Sequence, residues 1–224
     1  MKRSRGKILP LAAIGLAAAM LFALGIFLWW RARDCARVSL GYEYFLLVRP
    51  CEESTAAAVI EESYSAGGAA LAYGDDQIVL ACYDTRSAAE RICENMASDG
   101  TQSEVVRIAS SEFFMYGSAA AYAPLAKANA ATADSVARLL YDTANSLERS
   151  EIGQIEAVSA LKGAAASLKG LREGNDGVFE AWDRFLYRTE SEARAAAGGI
   201  VFAKDIRRIQ ISLCIAVASI EEFL

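Results

Sequence analysis

Few side chains in this chain are of a type and spacing that could run a reaction. It contains no histidine, which removes Ser-His-Asp and Cys-His nucleophile activation and every His-based metal site. Acid–base chemistry would have to come from carboxylate, Lys, Tyr or Ser groups. The acidic pairs Glu52-Glu53, Glu61-Glu62 and Glu221-Glu222 are sequence neighbours, so on a helix the two carboxylates point to different sides and read as solvated charge. Asp75-Asp76 reads as part of a turn. The five cysteines, at 35, 51, 82, 93 and 214, are odd in number and include no C-x-x-C, so their spacing defines no disulfide framework or metal cage. Cys82 and Cys93 read as small buried apolar residues. Neither G-x-x-x-x-G-K-[ST] nor G-x-G-x-x-G occurs, so no phosphate-cradling loop is present. The expectation is a non-enzymatic protein with no catalytic residue, no metal and no cofactor.

The chain has 224 residues, of which 54% are apolar and 23% charged, a composition that folds. Residues 8–30 form a run of 23 without a charge, about 35 Å as a helix and long enough for a hydrocarbon core of about 30 Å. Lys2, Arg3, Arg5 and Lys7 precede it, while Arg31, Arg33 and Arg37 follow. The denser cluster on the short tail places the N-terminus in the cytoplasm and the bulk of the chain outside. Trp29 and Trp30 suit an interfacial anchor. The run is longer than a signal-peptide core and ends in Phe27-Leu28-Trp29-Trp30-Arg31 rather than a small-residue cut. Ala32-Arg33-Asp34 before Cys35 do not form a lipobox. Residues 1–37 carry seven Lys/Arg and one Asp, a net of +6; taken from the total of −5, this leaves −11 on the remainder. Nucleic acid is therefore not an expected partner.

From 41 to 110 the pattern predicts a small α+β module. Tyr44-Phe45-Leu46-Leu47-Val48 reads as a strand. Ser54 or Thr55 caps a helix to about Ala66, with Val59, Ile60 and Tyr64 on its apolar side and Gly67-Gly68 as its stop. Residues 69–73 and 77–83 flank Gly74-Asp75-Asp76 as a hairpin. Asp84 or Thr85 caps a second helix, buried through Ala88, Ala89, Ile92, Cys93 and Met96. A fourth strand spans 104–109. The order β-α-β-β-α-β is the ferredoxin-like split βαβ, an antiparallel sheet with two helices on one face.

A membrane anchor followed by this order resembles the sporulation-related repeat (SPOR) family. The resemblance is carried by residues 44–48, Ala66-Gly67-Gly68, residues 78–84, Ser87-Ala88-Ala89-Glu90 and residues 104–108, about a third of the chain. It implies binding of peptidoglycan glycan strands stripped of stem peptides, in bacterial division or sporulation. The family's first strand reads Gln-x-Gly-x-Phe near its end, where this chain has Leu47, Arg49 and Cys51. The third strand often carries Arg where Gln77 stands. The candidate glycan-binding residues are Phe45, Leu47, Arg49, Gln77, Val79 and Tyr83. By strand alternation, Phe45, Leu47 and Arg49 share one face, while Gln77, Val79, Ala81 and Tyr83 form one set in the third strand. Both faces of the sheet are apolar, so the face away from the module's helices should be covered. The C-terminal helices, a partner chain or the sugar rings of a glycan would each serve.

From 111 the composition becomes helical. Three domains are expected: 1–37 as stub and anchor, 41–110 as the SPOR-like module, and 111–224 as a helical bundle. Phe113-Phe114-Met115-Tyr116 reads as a packed connector. A helix from Thr132 or Asp134 carries Val136, Leu139, Leu140, Thr143 and Leu147. A second has its seam at Ile152, Ile155, Val158, Leu161, Ala165 and Leu168. A third, 178–197, turns Phe179, Trp182, Phe185 and Leu186 inward. In the last, 200–223, residues 211–218 are almost continuously apolar yet too short to span a bilayer. That helix reads as a buried bundle member or a self-association contact. Two functions follow as expectations: glycan binding by a membrane-anchored envelope protein, or a protein-interaction subunit of a membrane complex whose SPOR-like module no longer binds glycan. The first requires exposed Phe45 and Tyr83, and the second requires them buried.

Overall fold

The computed structural model describes residues 20–24 and 35–224. In chain order the elements are β1 (Cys35–Val38), β2 (Glu43–Pro50), α1 (Ala56–Ser65), β3 (Leu71–Tyr73), β4 (Gln77–Tyr83), α2 (Arg86–Ser98), β5 (Glu104–Ala109), β6 (Phe113–Tyr116), α3 (Ala123–Glu148), α4 (Gln154–Gly174), α5 (Glu180–Ala196) and α6 (Ala203–Ala218). The fold is α+β with antiparallel sheets. Most of the apolar run 8–30 lies outside the described residues; its described part, 20–24, is helical and exposed. Among the described residues no helix is long and apolar enough to cross a membrane.

Among the described residues two compact units are present: 35–38 with Phe113–Pro124, and Ser39–Glu112 with Leu125–Leu224. In the first, β1 and β6 form a two-stranded ribbon, Cys35 opposite Tyr116 and Val38 opposite Phe113. The segment expected as a connector is thus a strand. Its partner lies some seventy-five residues away in the sequence, so no local signal announces the pairing.

In the second unit the four-stranded sheet has the order β3-β4-β2-β5. β4 lies between β2 and β3, so the β2–α1–β3 crossover is split by an intervening strand. Helix α1 ends as Gly67 adopts φ +97°, which lets the Gly68 N–H return to the Ser63 carbonyl at 2.9 Å. Opposite Leu47/Val48 the register slips: Leu47 pairs with Ala81 and Val48 with Val79, so Leu80 is the extra residue of a β-bulge. Leu80 and Ala81 then both join the Phe45–Leu47 cluster, and every residue of β4 before the bulge changes face relative to strict alternation.

The helical half belongs to this same unit. Helix α3 begins at Ala123, well before the expected cap at 132 or 134. In α4 the buried line is Ala157, Leu161, Ala164, Ala165 and Leu168. The expected seam position Ile155 is instead 82% exposed. Small alanines allow the close approach of α4 and α5 that a bulkier seam would prevent. Trp182, fully buried on α5, donates from Nε1 to Asn129 Oδ1 at 2.9 Å. Asn129 Nδ2 donates to Asn175 Oδ1 at 2.7 Å, and Asn175 Nδ2 to Asp183 Oδ1 at 2.6 Å. This chain of bonds ties α3, the α4–α5 turn and α5 together and satisfies polar groups that burial would otherwise penalise. Glu190, also buried, is held by Arg194 at 2.6 Å and Arg172 at 3.4 Å.

Candidate functional site

The expected glycan platform is not an open surface. Phe45 is 8% and Tyr83 9% exposed, and Leu47 is buried. All three cluster with Ala89 of α2, backed by Ile92, Cys93 and Met96. The face proposed for sugar is therefore the one that packs on the module's own helix. The Tyr83 ring also meets the Tyr141 ring of α3 edge-on, centroids 6.3 Å apart at 78°. Burial raises the Tyr83 hydroxyl above its ordinary pKa, with the Arg207 charge opposing it. Val79, beyond the bulge, pairs with Val48 and Leu71 and so lies on the opposite face. Arg49 pairs with Ile78 and bonds Glu62 of α1 at 3.2 Å. Gln77, at the strand's start, donates to Glu104 at 3.0 Å. The six candidates are divided between two faces and do not converge.

The second face, Tyr44, Leu46, Val48 and Cys82, is covered from within the chain. Tyr44 Oη donates to Asp134 Oδ1 of α3 at 2.7 Å, and Arg138 Nε donates to Asp134 Oδ2 at 2.9 Å. Cys214 and Gln210 of α6 line, with Tyr44, Cys82 and Ala137, a residual cavity of about 30 Å³. Gln210 Nε2 donates to Cys214 Sγ at 3.3 Å. The apolar residues of α6, including Ile206, Ile209, Ile211, Leu213 and Val217, are buried. They serve the chain's own core, and α6 does not offer the exposed apolar face that self-association would use. All five thiols are free. Cys82 is buried as expected, while Cys93 is only part-buried, its thiol donating to the Ser103 carbonyl at 3.3 Å.

These buried groups make an alkaline limit. Contact with Cys82, then burial, raises the Cys214 thiol well above its ordinary 9.0. Burial, the neighbouring Cys214 and the bond to Asp134 raise Tyr44 far above its ordinary 10.0. Both acids ionise earlier in the unfolded chain, so the unfolded state binds fewer protons above about pH 9 and stability falls as pH rises. The expected result is stability unaffected by these two groups between pH 6 and about 8.5, then a loss steepening to roughly 1.4 kcal/mol per pH unit for each group. Urea unfolding from pH 7 to 11 measures it, and Tyr44→Phe should remove the later part of the slope.

Two surface features remain. A groove of about 290 Å³ opens between β3 and helices α5 and α6, lined by Leu71, Tyr73, Phe185, Ile215 and Phe223 with Arg188 and Arg208. Sequence reasoning missed it because it joins elements more than a hundred residues apart. The second feature is an apolar tip where α4 begins and α6 is about to begin. Gln154 clamps Val201 with two bonds, Nε2 to the carbonyl at 2.9 Å and N–H to Oε1 at 2.8 Å. The sequence neighbours of that clamped pair, Ile155, Ile200 and Phe202, are all exposed. Lys204 lies over the Phe202 ring at 5.7 Å and over Tyr64 at 3.8 Å. Among the described residues no cluster of Cys, Asp and Glu is placed to hold a metal ion. No protein-family model, curated protein or solved structure matches this chain.

Proposed function

We propose that the chain is a membrane-anchored protein-interaction subunit of the bacterial cell envelope. In this reading the SPOR-like module is a structural core rather than a glycan reader. The observation that carries it is the burial of Phe45 and Tyr83, the two rings on which a sugar would have to stack. A sheet packed on both sides by its own helices has no open face for a glycan strand. The run 8–30 supplies the anchor, with its basic N-terminal tail in the cytoplasm. The exposed apolar residues Ile155, Ile200 and Phe202, flanking the Gln154–Val201 clamp, are the surface on which another envelope protein docks: large apolar side chains left in solvent are typical interface anchors.

The test uses the full chain in detergent micelles with peptidoglycan sacculi, intact and amidase-stripped, and a photocrosslinker at position 155 in native membranes. Expected are no retention on either sacculus and one discrete crosslinked protein that Ile200→Glu abolishes without changing the melting temperature. Selective retention on stripped glycan would overturn the reading in favour of wall targeting. A crosslinker that captures nothing at the tip would also count against it.

A further inference from the structure

The β1–β6 ribbon has two unlike faces. Pairing of Ala36 with Met115 and of Val38 with Phe113 places these on one side, where Val38 and Met115 are buried. Cys35 pairs with Tyr116 and Arg37 with Phe114, so these four share the other side. Phe114 is 50% and Tyr116 48% exposed, with ring centroids 6.3 Å apart. The outward face is thus two adjacent aromatic rings with an arginine across from one of them.

We infer that this face lies on the bilayer, with Phe114 and Tyr116 seated among the lipid headgroups. The inference rests on the reading that residues 8–30 cross the membrane. Only residues 31–34 separate Trp30 from β1, and five Cα steps reach about 17 Å at most. The headgroup layer itself is about 5–8 Å deep on each side, so the tether holds the ribbon at or beside it. Tyr116, with an apolar ring and a polar hydroxyl, favours this layer over either water or hydrocarbon, and the Phe114 ring beside it adds apolar area to bury there.

The test is made on the full chain, Phe114→Cys with Cys35, Cys51 and Cys93 each changed to Ser, labelled with an NBD fluorophore under native conditions that leave buried Cys82 and Cys214 unreacted. The labelled protein is reconstituted in phosphatidylcholine–phosphatidylglycerol vesicles, with nitroxide-free vesicles as the control. The expected result is a blue-shifted emission at 114, quenched severalfold by a nitroxide placed at headgroup depth. A water-like, unquenched label at 114 in protein that resists alkaline carbonate extraction would overturn the docking and leave the anchor standing. Release of the protein by carbonate would sink the anchor reading, and the docking with it.

Discussion

Replacement of Trp182 by alanine is expected to be among the most damaging single changes in the chain, costing about 4–5 kcal/mol. The indole is fully buried, and truncating a buried Trp to Ala costs about 3–5 kcal/mol through lost transfer energy and the cavity left behind. The ring stacks on Phe185 at 5.3 Å and meets Phe223 edge-on at 5.6 Å, so the loss loosens the chain terminus as well. It also deprives the buried Asn129 oxygen of its donor, worth about 1 kcal/mol more. For a unit of this size the melting temperature should fall by roughly 10–20 °C. Trp182→Phe separates the two contributions, because it retains much of the ring contact but not the N–H. It should cost about 2 kcal/mol. A loss below that for the alanine variant, read by urea unfolding, would show that the cluster relaxes around the gap.

The second large effect is expected from Asp134→Ala, at about 2–3 kcal/mol. Asp134 accepts from both Tyr44 and Arg138. Its loss strands the Tyr44 hydroxyl between the sheet and the helices over it, and an unsatisfied buried donor costs about 1–3 kcal/mol. Tyr44→Phe removes the stranded group. The double variant Tyr44→Phe/Asp134→Ala should therefore be more stable than Asp134→Ala alone, with a coupling of about 1–2 kcal/mol by double-mutant cycle. Additive costs would mean that water reaches the Tyr44 hydroxyl and the layer over the sheet is not sealed.

The module's elements were legible because each carries local chemistry. The β-branched and apolar run of residues 77–83, the stripe Ala88–Met96 and the Gly67-Gly68 stop are written within single turns or strands, and β4, α2 and β5 fall where those patterns put them. What the sequence could not convey was which apolar face of the sheet met which helices. Tyr44, Leu46 and Val48 are as apolar as Phe45 and Leu47, so alternation distinguishes the sets without orienting them. The bulge at Leu80 is a one-residue slip with no sequence signature, and it moved Val79 away from Tyr83. In α4, alanine at every few positions makes two helix phases equally plausible. Ile155 was read as seam and stands in solvent, while Ala157 is the buried residue. Of the exposed tip, Ile155 is the residue that this ambiguity assigns to the core.

The covered sheet also sets an order of events during synthesis. Strand β5 completes the four-stranded sheet at Ala109, but α6, which closes the Tyr44–Cys82 face, ends at Ala218. About 110 residues must still be made, which at 5–20 residues per second takes roughly 5–20 s. Helix α3 reaches this face early, through Asp134 and Ala137, but the part that α6 closes stays open throughout that interval, with β3 and β5 as unpaired edges. The nascent chain must either delay closing the sheet or be held by a chaperone until its last helix arrives.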